Sequence, residues 1–207
     1  MTDTTAPRRT RSDGERSRKT ILRAAASLAT VDGLEGISIG NLAAHIGMSK
    51  SGLYAHFGSK EELQLATVET ALEIFNAEVI EPTERIADPR ERLQALYDRF
   101  LDHVEGRVFP GGCFFASVVA EFDTHPGAVK DRIAEIHEGA SEHVRRLIAE
   151  AQAAGSLRQD ENARQLEFEL HAYLLMGNTA FVLNDDPSYL HQAAAAIERR
   201  LTQAQPA

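Results

Sequence analysis

Between positions 49 and 60 the chain reads Ser-Lys-Ser-Gly-Leu-Tyr-Ala-His-Phe-Gly-Ser-Lys, a run crowded with hydrogen-bond donors. Leu53 and Phe57, four residues apart, fall on one face of a helix, which leaves Lys50, Ser51, Gly52, Tyr54, Ala55 and His56 facing outward or flanking it. Those side chains suit a polyanion. Lys50 can reach a phosphate or a guanine edge, Ser51 can bond to either, and Tyr54 and His56 can donate to phosphate oxygens. Gly52 costs a helix about 1 kcal/mol relative to alanine, and close approach of the backbone to a duplex is one benefit that offsets it. Ser38, Ser49 and Lys60 stand at expected helix starts, where free N–H groups and the helix dipole favour phosphate.

A second set of residues suits a different task. Phe109, Phe114, Phe115, Phe122, Phe168 and Phe181 concentrate phenylalanine in the later part of the chain, where an apolar ligand cavity and ordinary core packing would use the same rings. The candidate lining is Phe100, His103, Phe109, Cys113, Phe114, Val118, Phe122, His171 and Leu175, with the two histidines either polar anchors or structural groups. Cys113 follows Gly111-Gly112 at an expected helix start, where the dipole lowers a thiol pKa. It is either a sensor of oxidants or electrophiles or a small core residue. His-Glu-x-x-His, Cys-x-x-Cys, a phosphate-cradling glycine loop and a nucleophile elbow are all missing from the sequence, so neither catalysis nor a metal is expected, nor a cofactor.

The elements that must hold these residues are helical, since apolar residues recur at three and four and β-branched runs are scarce. Residues 1–11, with Arg8, Arg9 and Arg11, read as a flexible basic arm that either touches DNA or stays free. A first helix is expected from Ser12, capped by Ser12 with Glu15, to about Asp32. Ser38 then caps a short helix carrying Ile39, Leu42, Ala43 and Ile46, which Gly47 stops. Ser49 caps the next, with Met48 and Leu53 placed as a hydrophobic staple, and Ser59 with Glu62 forms a capping box for a longer helix to about Val79. Five further helices are expected: one opened by Pro89, one over Cys113 to Phe122, one started by Pro126 and closed by Gly155, one capped by Asp160, and one after Asp186-Pro187.

Two short helices across a glycine turn, the second polar outside, form a helix-turn-helix pattern. A plain compact bundle has the same spacing, but the charge distribution favours the first reading. The chain of 207 residues has a net charge of −9, yet residues 1–60 hold nine Lys+Arg against five Asp+Glu, leaving the acidic excess in the remainder. A basic end bearing the pattern on an acidic body is the footprint of a nucleic-acid-binding head. One cysteine excludes an internal disulfide framework. The first nineteen residues lack the apolar core of a signal peptide, and no apolar run approaches the ~20 residues of a membrane span, so the cytoplasm is expected.

The stretch Ile37-Ser-Ile-Gly-Asn-Leu-Ala-Ala-His-Ile-Gly-Met-Ser-Lys-Ser-Gly-Leu-Tyr-Ala-His-Phe-Gly-Ser-Lys-Glu-Glu-Leu63 resembles the DNA-binding signature of TetR-type transcriptional regulators, over residues 15–65. Two departures from the usual pattern, Ser38 in place of threonine and Ala55 near a position usually aromatic or small, are minor. The run Gly111-Gly-Cys-Phe-Phe-Ala-Ser resembles a subset of the family's bodies. The resemblance implies an all-α chain with a three-helix head, a larger helical body that binds a small molecule, and a homodimer through the last two long helices. It also implies DNA contacts at Ser38, Lys50, Ser51, Gly52, Tyr54, His56 and Lys60. The expected division is an arm over 1–11, a head over 12–60 and a body over 61–207. The expected function is repression from a palindromic operator relieved by an effector, with a redox switch at Cys113 as the alternative and a sequence-independent architectural DNA binder as a competing class. Leu166 to Phe181 and Ala193 to Leu201 are the candidate dimer surface, or else core within one chain.

Overall fold

A computed structural model describes residues 11–206, and every regular element among them is helical. Residues 1–10 of the expected basic arm, with Arg8 and Arg9, lie outside the described residues, and Arg11 belongs to the first helix and not to an arm. Helix α1 (Arg11–Asp32) already includes Ser12, so Ser12 is an internal residue and not a cap. Arg11, a good helix former, carries the helix past it.

The next three helices begin as the serines dictate. Ser38 caps α2 (Ile39–His45) by accepting from the Asn41 N–H at 3.1 Å, while Asn41 Oδ1 takes the Ser38 N–H at 2.7 Å, a reciprocal capping box closed by asparagine. Gly47, at φ +68, turns the chain. Ser49 then caps α3 (Lys50–Tyr54) through the Gly52 N–H at 3.1 Å. Ser59 caps α4 (Lys60–Phe75) through the Glu62 N–H at 3.0 Å, but Glu62 turns its carboxylate to the Gly58 N–H instead of the Ser59 N–H, so only half of the expected box forms. Each such cap is worth about 1 kcal/mol.

Helix α4 runs on through one π-helical turn, Asn76–Ile80. Pro89 opens α5 (Pro89–Glu105), with Asp88 as its cap. Then come α6 (Phe114–Phe122), α7 (Ala128–Ala153), α8 (Ala163–Asn184) and α9 (Ser188–Gln203). Two starts differ from the sequence expectation. Helix α7 begins two residues after Pro126. Helix α8 is capped by Asn162, whose Oδ1 accepts from the Arg164 and Gln165 N–H groups, and not by Asp160. Asp160 instead lies near the Arg158 guanidinium, at 3.5 Å.

Apolar side chains gather into two clusters. One joins α1, α2, α3 and α4 to α6 and the start of α7, so Leu42, Leu53, Phe57, Leu63 and Val68 share a core with Phe109, Phe114, Val118, Phe122 and Ile133. The other lies among α5, α7, α8 and α9, with Tyr97, Leu147, Leu170, Phe181 and Ile197. The periodicity of α8 and α9 resolves accordingly: Leu166, Leu170, Leu174, Phe181, Ala193, Ile197 and Leu201 are buried within one chain. No described helix is long and apolar enough to cross a membrane.

Candidate DNA-reading face and effector-binding body

The outward face of α3 is built by what it buries. Leu53 and Phe57 are almost fully enclosed, and this forces Lys50, Ser51 and Tyr54 into solvent, with Tyr54 58% exposed. Ser38 and Ser49 are exposed at their caps, and the Ser49 and Ser51 hydroxyls lie 3.3 Å apart. Lys50 reaches back over α2, where a Cβ added to Gly40 would stand 3.3 Å from its Cε. A Cβ at Gly52 would come within 3.0 Å of the Ser49 hydroxyl, so glycine there also leaves room for the cap. His56, half-buried, tilts against the Phe57 ring at 6.2 Å.

Two features of this face were not legible in the sequence. Arg18 of α1 donates to the His56 carbonyl at 2.6 Å and lies over the Phe57 ring at 4.4 Å, bracing the exit of α3. A brace from a helix some 38 residues away leaves no local pattern. Lys60 is engaged with Glu35 at 2.6 Å, and that hydrogen bond holds the Glu35 carboxyl below the usual carboxylate range. The pair is exposed and worth little in stability, but Lys60 must leave Glu35 to meet a phosphate.

The candidate ligand residues do not form one group. Phe109, Phe114, Val118 and Phe122 pack toward the head, in the first cluster, and Cys113 belongs to the second. Leu175 is 53% exposed on α8 and lines no interior, which removes it from the candidate lining: the turn of α8 that buries Leu174 points Leu175 outward. What does converge is a set of aromatic rings around His103. Phe75 stands edge-on to Phe100, His103 and Phe115 at 5.9–6.2 Å, and His103 stands edge-on to Phe109 at 5.8 Å. His103 Nδ1 meets Glu78 of the π turn at 3.0 Å, while its Nε2 is buried without a partner. Phe75, Phe100 and Phe115 are only half-buried.

His171 lies elsewhere, 2.5 Å from Glu167, which also accepts from Ser141 at 3.0 Å. Burial pulls its pKa down, with Glu167 opposing. Its ring lies 6.5 Å from Tyr97, whose enclosed hydroxyl has no partner and whose pKa burial pushes up. Cys113 is likewise enclosed. Burial raises its thiol pKa above the ordinary value despite the helix start, which is the reverse of an activated thiolate. Two open grooves also escaped the sequence reading: one of about 470 Å³ between Arg90, Gln94 and Asp98 of α5 and His191 and Glu198 of α9, and one of about 300 Å³ between Arg16 and Thr20 of α1 and Ile46 and Met48. None of the candidate ligand residues lines either.

The last surface is on α8, where Phe168, Leu175, Met176 and Leu183 are 53–80% exposed. They recur at helical spacing beside exposed Ala172 and Thr179, forming an apolar stripe on the outside of the chain.

Comparison with known proteins decides the family. Residues 21–67 match bacterial regulatory proteins of the tetR family, and residues 89–197 match the tetracyclin repressor-like C-terminal domain. The chain belongs to the TetR family. Among the curated TetR-type proteins it is 27% identical over 178 residues to the HTH-type transcriptional repressor NicS of Pseudomonas putida, covering 83% of this chain and 77% of NicS. A TetR transcriptional regulator from Chloroflexus aurantiacus shares the fold at a TM-score of 0.85 and 24% identity, over 93% of this chain and 97% of that one. A structure of AibR in complex with isovaleryl coenzyme A and operator DNA shares it at 0.70 and 23%, over 91% and 98%. The TetR family consists of DNA-binding transcriptional regulators, and the α2–α3 unit described above is its helix-turn-helix.

Proposed function

We propose that this TetR-family protein is a cytoplasmic homodimeric repressor that binds a palindromic operator and releases it when a small molecule enters the body. The observation that carries the reading is the outward face of α3, where Lys50, Ser51 and Tyr54 are exposed because Leu53 and Phe57 are buried. Lys50 and Ser51 are the base- and phosphate-reaching groups, and Tyr54 and His56 bind phosphate together with the cap hydroxyls of Ser38 and Ser49. Gly52 lets the backbone approach the duplex, and Lys60 exchanges Glu35 for a phosphate. The division into a head over 12–60 and a body over 61–207 assigns the reading to the first and the sensing to the second.

The apolar stripe on α8 supports dimerisation, because it is an exposed apolar face that a two-fold copy would cover. In the body the effector reads His103. The buried Nε2 of that histidine is the polar anchor, and the half-buried Phe75, Phe100 and Phe115 are the rings a ligand would displace. Structures of family relatives support a ligand-responsive body, AibR having been captured with isovaleryl coenzyme A and operator DNA. A redox switch at Cys113 draws no support from a thiol that burial holds protonated.

Selection of binding sites from random DNA, followed by gel shift at physiological salt, tests the reading. The expected result is a two-fold symmetric site bound by a dimer. Uniform affinity for all sequences with a steep salt slope would replace it with the architectural class.

A further inference from the structure

The turn between α1 and α2 is gripped by a side chain from the body. Glu121, one residue before the end of α6, receives the Leu34 N–H on Oε2 and the Glu35 N–H on Oε1, each at 2.7 Å. Each carboxylate oxygen takes one donor, so the bonds fix both the position and the rotation of the turn. Gly33, at φ +80, leaves the space: a Cβ there would stand 2.7 Å from Oε1. From the other side, α4 holds the same turn. Gln64 donates to the Leu34 carbonyl and to Glu35 Oε2, both at 3.0 Å, and Lys60 meets Glu35 Oε1.

The near end of α6 is tied as well. The Gly111 N–H donates to Thr30 Oγ1 at 3.0 Å, and the Cys113 N–H donates to Asn178 Oδ1 of α8 at 2.8 Å. Helix α6 is therefore a strut about 13 Å long, tied where it begins to α8 and to Thr30 of α1, and where it ends to the turn between α1 and α2. Its buried Phe114, Val118 and Phe122 keep it against the head, but apolar contact is non-directional and tolerates sliding. The carboxylate fork does not.

We propose that Glu121 is the positioning residue that couples the body to the DNA-reading head, so that a displacement of α6 is delivered to α2 and α3 through the Leu34 and Glu35 amides. The proposal rests on the regulator reading above for its purpose, and on the fork alone for its geometry. A glutamine at 121 supplies one acceptor oxygen and turns an NH2 group toward a backbone N–H, so one bond is lost and two donors are opposed.

The test measures the head against the body within one chain. Spin labels are placed at Ala44→Cys on α2 and Ala140→Cys on α7, both exposed positions, in a Cys113→Ala background, and the labelled full-length chain is diluted with unlabelled protein. The parent should give one narrow distance distribution by double electron–electron resonance. Glu121→Gln should broaden it at least twofold and weaken operator binding about tenfold, with helix content and oligomeric state unchanged. Gly33→Ala, which crowds the carboxylate from the turn, should broaden it in the same way. A distribution as narrow in both variants as in the parent, with unchanged operator affinity, overturns the coupling role and leaves the regulator reading standing. A parent that selects no operator sequence defeats that reading instead, while the distance measurement still decides the fork.

Discussion

In the head the polar groups proposed to read a ligand are outside and the apolar ones inside, with Tyr54 58% exposed over a buried Leu53. In the body the polarity is inverted, since His103 is 5% exposed and the Tyr97 hydroxyl is enclosed without a partner. An exposed donor is already hydrated and exchanges water for phosphate at small net cost. A buried, unpartnered one has given up its water, and the penalty of about 1–3 kcal/mol is recovered only when a partner arrives. The two regions are therefore suited to different ligands: a large polyanion that stays in solvent, and a small molecule that leaves it.

The sharpest way to break this comparison is to strip the head. Lys50→Ala with Tyr54→Phe removes two of the proposed contacts from each protomer at about 1 kcal/mol apiece, and operator affinity should fall on the order of 1,000-fold by gel shift while sedimentation still reports a dimer. Unchanged affinity would mean that α3 does not face the groove. A smaller loss is expected from Phe168→Glu with Leu175→Glu, which charges the α8 stripe. Sedimentation should give a monomer, and operator binding should weaken roughly 100-fold as two linked half-sites become independent. A variant that remains dimeric would move the interface elsewhere.

The smallest effect tests the buried side. His171 and His143 have pKa values below the ordinary 6.5, burial being the largest cause in each. Both bind a proton less readily when folded than when unfolded. Their contribution is therefore fully present above about pH 6.5 and declines as pH falls through the range below it. Thermal denaturation at pH 5.5 should give a lower midpoint than at pH 7.5, and His171→Gln should narrow the gap. The carboxylates of Glu161, Glu169 and Glu69, lowered chiefly by hydrogen bonds from Arg200, Gln165 and Arg132, lose their contribution only as pH falls below about 4.5. The histidine window is thus separate from theirs. An equal midpoint at both pH values would show that these histidines titrate alike folded and unfolded.

The head was legible because its signals are local. Ser38, Ser49 and Ser59 each bond a backbone N–H three residues on, and such a pattern can be read from a dozen letters. The choice of Asn162 over Asp160 shows the limit, since both can cap and only the path of the chain decides. In the body, periodicity told which residues are buried but not against what. Phe114 and Phe122 suited a ligand lining and a plain core equally in the sequence, and they pack on the head, while the Glu121 fork joins residues 86 and 87 positions apart and leaves no trace in spacing. The exposed stripe of α8 was hidden for a similar reason: the buried and the outward apolar residues of that helix interleave, Leu174 beside Leu175.

The π turn at Asn76–Ile80 lies where one long helix passes from the first core to the second. A π turn amounts to one residue inserted into an α-helix and taken up by a wider turn, so the chain leaves it in nearly the phase that a turn one residue shorter would give. Before the turn, α4 gives Val68 and Ala71 to the head cluster; within it, Val79 belongs to the cluster of α5, α7, α8 and α9. Deleting a single residue between 76 and 80 would let the turn close as ordinary α-helix with the approach to α5 still nearly in phase, whereas deleting one from α4 itself would swing that approach by about 100°, so that length and phase, more than composition, are what α4 has to preserve.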